Sequence, residues 1–116
     1  MVNIRLAIHR ADLATFTQTL ETAIVEHIDE IHYIDFYNLR YLVQQLERKR
    51  VELNLYDPFK PINKRPLNIK ININVANTYI KIITLPSILT DDHAVNLHRQ
   101  TVADLDRQIK NLCKIV

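Results

Sequence analysis

The chain has 116 residues, enough for one domain whose core needs no disulfides. Lys and Arg number 15 and Asp and Glu 13, a net charge of +2, which excludes a strongly polybasic or polyacidic protein. It contains no glycine, where average use of about 7% would supply about eight, and this excludes phosphate-cradling glycine loops, GxGxxG turns and Asn-Gly hairpins.

Val2 to Ile8 alternates: Val2, Ile4, Leu6 and Ile8 share one face, Asn3, Arg5 and Ala7 the other. That is the pattern of a half-buried strand. From about His9 the period changes, and Leu13, Phe16, Leu20, Ile24 and Ile28 recur at three and four along an amphipathic helix to about His27. Asp12 falls in its first turn, where a carboxylate complements the helix dipole.

A second helix is predicted with Asp35 as N-cap and Ile34 and Leu39 as a hydrophobic staple. Its stripe is Leu39, Leu42, Leu46 and Leu53, interrupted by a snorkelling Lys49, and it ends near Leu53. Residues 54–66 carry Pro58, Pro61 and Pro66 and read as a stiff, extended connector.

Leu67 to Ile73 is a second alternating strand. In residues 74–85 the polar positions Asn74, Asn77, Thr78, Lys81 and Thr84 recur at three and four, which predicts a helix ending before Pro86. The competing reading is a hairpin turning at Ala76 and Asn77, since the run from Tyr79 to Thr84 has high β propensity. A last helix follows a cap at Thr90 or Asp91, with a stripe of Ala94, Leu97, Thr101, Leu105, Ile109 and Leu112.

The order is β-α-α, connector, β-α-α, and the halves resemble each other. Asn3 to Asp12, NIRLAIHRAD, lies over Asn68 to Asn77, NIKININVAN, with four of ten residues identical. Laying Leu46 on Leu105 extends the match to the ends of the halves. The expectation is a single α+β domain over 1–116. It is helix-rich, with pseudo-repeats 1–53 and 67–116 in a pseudo-two-fold arrangement. Two strands alone make a poor sheet with exposed edges, so either the edges are blocked or another chain completes the sheet, which is a reason to expect a homo-oligomer.

No catalytic constellation stands out. His27, Asp29, Glu30, His32 and Asp35 are metal-capable, but His27 and His32 are five apart, so no HxxxH pair exists, and a solvated loop is the better reading. Asp91, Asp92, His93 and His98 form the equivalent segment, with the aspartates as helix caps. Ser87 is the only serine, and Cys113 lies at a helix C-terminus, where the dipole disfavours a thiolate. No catalytic residue, metal site or cofactor is expected.

Charge is unevenly placed. Residues 1–47 hold three basic and seven acidic side chains; residues 48–70 hold seven basic and two acidic. Arg48, Lys49, Arg50, Lys60, Lys64, Arg65 and Lys70, with Tyr56 and Phe59 between them, can meet phosphates or an acidic protein surface. No helix-turn-helix, RNP or KH signature accompanies them. The leading expectation is a non-enzymatic protein-interaction or structural protein that self-associates. The alternative is a nucleic-acid-binding accessory factor using residues 48–70. A single cysteine, no recognisable signal segment and no apolar run of about 18 residues make the expected location cytoplasmic.

Overall fold

The computed structural model describes residues 3–54, 65–85 and 91–115, and of residues 53, 54 and 113–115 the backbone only. Strand β1 (Asn3–Ile8) passes through a 3-10 turn at Arg10–Asp12 into helix α1 (Leu13–Glu26). A second 3-10 turn, Ile28–Glu30, precedes α2 (Tyr33–Asn54). Strand β2 (Leu67–Asn72) runs directly into α3 (Ile73–Ile83), and α4 (Asp92–Ile115) completes the order. Among the described residues the protein is α+β and helix-rich, with one two-stranded antiparallel sheet. Most of the proline-containing connector, Thr90 and the side chains of Leu53 and Cys113 lie outside the described residues.

The strands pair from Asn3 opposite Asn72 to Ile8 opposite Leu67. A strand has a side-chain period of two, so Ile4, Leu6 and Ile8 share a face with Leu67, Ile69 and Ile71. All six are buried. Asn3, Arg5, Ala7, Asn68 and Lys70 are exposed on the other face. The helices bring Leu13, Phe16 and Leu20 from α1, Leu42 and Leu46 from α2, Val75, Ala76 and Tyr79 from α3, and Leu105 from α4 onto the buried face. Each large apolar side chain buried there stabilises the fold by about 1.5–3 kcal/mol.

Residues 73–83 are helix, not hairpin. Val75, Tyr79 and Ile82 are buried at helical spacing. The side chain of Asn72 caps the helix, accepting the Val75 N–H at 2.9 Å. Packing of one face and a good cap outweigh the β propensity of the isoleucines. Because Asn72 starts the helix so early, Asn77 sits in the second turn, whereas in the first half a 3-10 turn delays α1 until Leu13.

Two expectations about α2 need correction. The helix begins at Tyr33, ahead of Asp35. His32 stands before it, its carbonyl accepting the Phe36 N–H at 2.9 Å and its Nδ1 accepting the Ile34 N–H at 3.4 Å. Asp35 therefore does not act as N-cap: its carboxylate reaches across to α3, lying 3.4 Å from Thr78 Oγ1, whose proton goes to the Asn74 carbonyl at 2.9 Å, and 3.3 Å from Lys81 Nζ. Ile34, inside the helix, is exposed, so it forms no staple with the fully buried Leu39. The cap expected for α4 is Asp91, which accepts the His93 N–H at 3.0 Å.

The edge of β1 is occupied at Arg5. The amide of Gln108 on α4 accepts from the Arg5 N–H at 3.0 Å and donates to the Arg5 carbonyl at 2.8 Å, imitating a neighbouring strand. Since Arg5 turns both backbone groups outward, it belongs to a non-hydrogen-bonded pair, and its opposite residue Lys70 turns its own backbone groups to the outer edge of β2.

Candidate functional site

The predicted basic residues fall on two elements. Arg48, Lys49 and Arg50 occupy the last turns of α2, where Lys49 pairs with Glu52 and Arg50 with Glu47, each at 3.4 Å. Such exposed i,i+3 pairs contribute only about 0.3–0.5 kcal/mol. Lys70 projects from the exposed face of β2, directly opposite Arg5 of β1. Like charges directly opposed across two strands are unfavourable, so this pair favours an anion above it. The Arg65 carbonyl accepts from Arg10 Nε at 3.3 Å. Lys60 and Lys64, with Tyr56 and Phe59, lie outside the described residues. Arg5 was not among the predicted site residues, although it occupies the same place in NIRLAIHRAD as Lys70 does in NIKININVAN.

The acid and histidine groups disperse. His27 is buried and its Nδ1 lies 3.2 Å from Glu30 Oε2. Asp35 faces α3, and His93 Nε2 lies 3.1 Å from Asp12 Oδ1. Among the described residues, no three His, Cys, Asp or Glu side chains converge as a metal site would require.

His98 departs furthest from its expected setting. It lies on α4, 3% exposed, and not in a solvated segment. Its Nδ1 lies 2.7 Å from the Tyr79 hydroxyl and its Nε2 2.5 Å from Thr19 Oγ1. The Phe16 ring packs beside it at 4.4 Å between centroids. The direction of the proton chain follows from its ends. Thr19 Oγ1 donates to the Thr15 carbonyl at 2.8 Å. The tautomer that leaves no buried donor unpaired has the Tyr79 hydroxyl donating to Nδ1. Nε2 then carries the imidazole proton and donates to Thr19.

Burial lowers the His98 pKa to about 4 and raises that of Tyr79 well above the ordinary phenol value, so both are neutral at pH 7. A Thr-His pair at this distance has the outline of a nucleophile and its base. With the imidazole proton on Nε2 the polarity is opposite: His98 gives Thr19 a hydrogen bond, and its other nitrogen is engaged by Tyr79. The ring also borders a cleft of about 380 Å³ between the C-terminal end of α3 and α4, lined by Ile83, Leu85, Val95, Arg99 and Val102. The sequence carries a signal for this burial: His98 stands four residues after Ala94 and three before Thr101, on the buried stripe.

The most unusual surface belongs to α2. Tyr33, Tyr37 and Tyr41 are spaced four apart, on the side opposite Leu39, Leu42 and Leu46. Tyr33 is 65% and Tyr37 64% exposed. With Val25, Ile28, Ile34 and Phe36 they make a contiguous stretch of sequence in which large apolar side chains face water. A shallow cleft of about 350 Å³ between α1 and α2, lined by Ile24, Val25, Phe36, Leu39, Arg40 and Val43, borders this row. No described helix is long and apolar enough to cross a membrane.

Comparison with protein-family models, curated proteins and solved structures finds no match.

Proposed function

We propose that this is a non-enzymatic protein-interaction module that self-associates. The observation that carries the reading is the exposed aromatic row of α2. Clustered exposed apolar side chains mark interaction sites when they form a patch beyond a few hundred Å², and tyrosine is enriched at interfaces because it combines a large apolar ring with a polar tip. The non-enzymatic character is supported by His98, whose two ring nitrogens are spent on Tyr79 and Thr19.

The pseudo-two-fold arrangement belongs to the same reading. The residues that the repeat equates at the middle of the strands, Arg5 and Lys70, are the two directly opposed in the register. A two-fold axis through that pair would exchange the strands. The outer edge of β2 gives a further place where another chain can extend the sheet. Sedimentation analysis over a concentration series tests the function: a reversible dimer or larger species supports it, and a strict monomer at about 1 mM sinks it.

A second reading, a nucleic-acid-binding accessory factor, is favoured by one observation, the exposed Arg5–Lys70 pair. In sequence Lys70 ends the basic segment that also holds Arg48, Lys49, Arg50, Lys60, Lys64 and Arg65. Binding to DNA and RNA at two salt concentrations, with an Arg5→Ala/Lys70→Ala variant and a Lys60→Ala/Lys64→Ala/Arg65→Ala variant alongside, decides it. Affinity that falls steeply with salt and is lost in the variants supports this reading.

A further inference from the structure

We infer that the occupant of the α2 aromatic row is the α2 helix of a second copy, running antiparallel. This inference rests on the self-association reading and names its surface. Helix α2 has 22 residues, so it presents a rod about 33 Å long. Its charges are unevenly placed: Asp35 is in the first turn, Arg40 mid-helix, and Arg48, Lys49 and Arg50 in the last turns. There Glu47 and Glu52 pair with Arg50 and Lys49 and leave Arg48 as the uncompensated cation. Asp29 and Glu30, both exposed, stand just before its start, and the exposed Arg48 and Arg50 stand in its last turns. Asp29 and Arg48 have no ion-pair partner among the described residues.

A parallel pair would bring like ends together. An antiparallel pair crossing near Leu39 brings Arg48 of each copy to the level of Asp29 and Glu30 of the other. The same register sets Tyr37 of one copy against Tyr41 of the other, twice, about the two-fold axis. Such a contact is isologous and closes on itself as a dimer. The rod is about 10–12 Å wide, so its footprint is on the order of 400 Å², below the roughly 800 Å² per partner of a standard interface. The dimer is therefore weak and concentration-dependent unless the α1–α2 cleft and Val25 add to it.

The experiment is a sedimentation-equilibrium series on the full chain at low salt. It compares the wild type, Arg48→Glu, Asp29→Arg/Glu30→Arg, the combination of all three changes, and Tyr37→Ser/Tyr41→Ser. Helicity by circular dichroism verifies that each variant is folded, and all these positions are exposed or only partly covered. The expected result is a wild-type dimer whose dissociation constant rises about tenfold or more in the Tyr variant and in each charge reversal. The combined charge variant, in which Arg and acid have exchanged places, recovers wild-type affinity.

Self-association that none of these changes alters overturns the α2 surface and leaves the self-association reading standing. A dimer weakened by either charge reversal but not recovered in the combination overturns the antiparallel register. A strict monomer overturns both the dimer and the reading beneath it.

Discussion

Lowering the pH from 7 to 4 should destabilise this protein through His98. The folded state holds the imidazole neutral with a pKa of about 4, against 6.5 when unperturbed. Between those values the unfolded chain binds a proton that the folded one does not. Stability is therefore fully present above about pH 6.5, falls as the pH drops, and has lost the whole contribution below about pH 4. At about 1.4 kcal/mol per pH unit, the contribution is about 3 kcal/mol, a large part of the total for a domain of this size.

The groups that touch the ring from α1 and α3 are Phe16, Thr19 and Tyr79, none of them ionised in this range. The assay is urea unfolding at half-unit steps from pH 4 to 7.5. Carboxylates also contribute to acid unfolding, so the decisive quantity is the difference from a Tyr79→Phe/His98→Leu variant, which removes the imidazole without stranding the phenol. That variant should lack about 3 kcal/mol of the wild-type decline. At pH 7, His98→Leu alone should be about 1–3 kcal/mol less stable than the double variant, because the buried Tyr79 hydroxyl loses its acceptor. If wild type and double variant decline in parallel from pH 6.5 to 4, the buried neutral imidazole and the proton chain drawn from it are wrong.

Three other measurements check the fold. Leu46→Ala should cost about 2–5 kcal/mol in urea unfolding, and Ile34→Ala no more than about 0.5, because the first is sealed in the core and the second stands in water. Gln108→Leu should cost about 1–2 kcal/mol and speed hydrogen exchange at the Arg5 amide, since both of its bonds to the β1 edge are lost; unchanged exchange would show the edge is not held by that side chain. Lys70→Glu should raise the thermal midpoint slightly, by an effect of about 0.5 kcal/mol, because it turns the opposed like charges of the sheet into a pair. The same change should abolish any nucleic-acid affinity that the exposed sheet face provides.

Both strands are legible in the sequence because strict alternation at period two fits a strand and little else, and the buried face of each is the one the pattern names. Residues 73–83 are legible as helix from their polar positions, although their isoleucines favour a strand. The start of α2 is not. Asp35 is a better cap by type than His32, but its carboxylate lies against Thr78 and Lys81, partners more than 40 positions away in sequence. His98 is legible only in part: it stands on the stripe of Ala94 and Thr101, but its sequence neighbours pull the reading the other way. A histidine among polar neighbours reads as solvated until the chain folds and sets Thr19 and Tyr79 against its two nitrogens. The tyrosine row needs no tertiary information: Tyr33, Tyr37 and Tyr41 recur at four, opposite the leucine stripe, and are overlooked only when the core side alone is followed.

The halves share an order of elements but not a surface. Gln108 on α4 occupies the edge of β1 at Arg5 with a donor and an acceptor. When Leu46 is laid on Leu105, the corresponding residue of α2 is Lys49, which has donors and no acceptor and cannot occupy the edge of β2 in that way. Instead α2 packs between α1 and α3, and its far side is left to water. Among the described residues, every large apolar side chain with substantial exposure lies between Val25 and Val51, on α1, α2 and the turn joining them. The exposed positions of α4 are polar or charged apart from Ala103, and water solvates them readily. A lone solvated helix gains nothing from the three tyrosines of α2, since each ring held in water forfeits its burial energy. Their concentration on α2, while the exposed positions of α4 are mostly polar, is the feature that the proposed self-association through α2 accounts for.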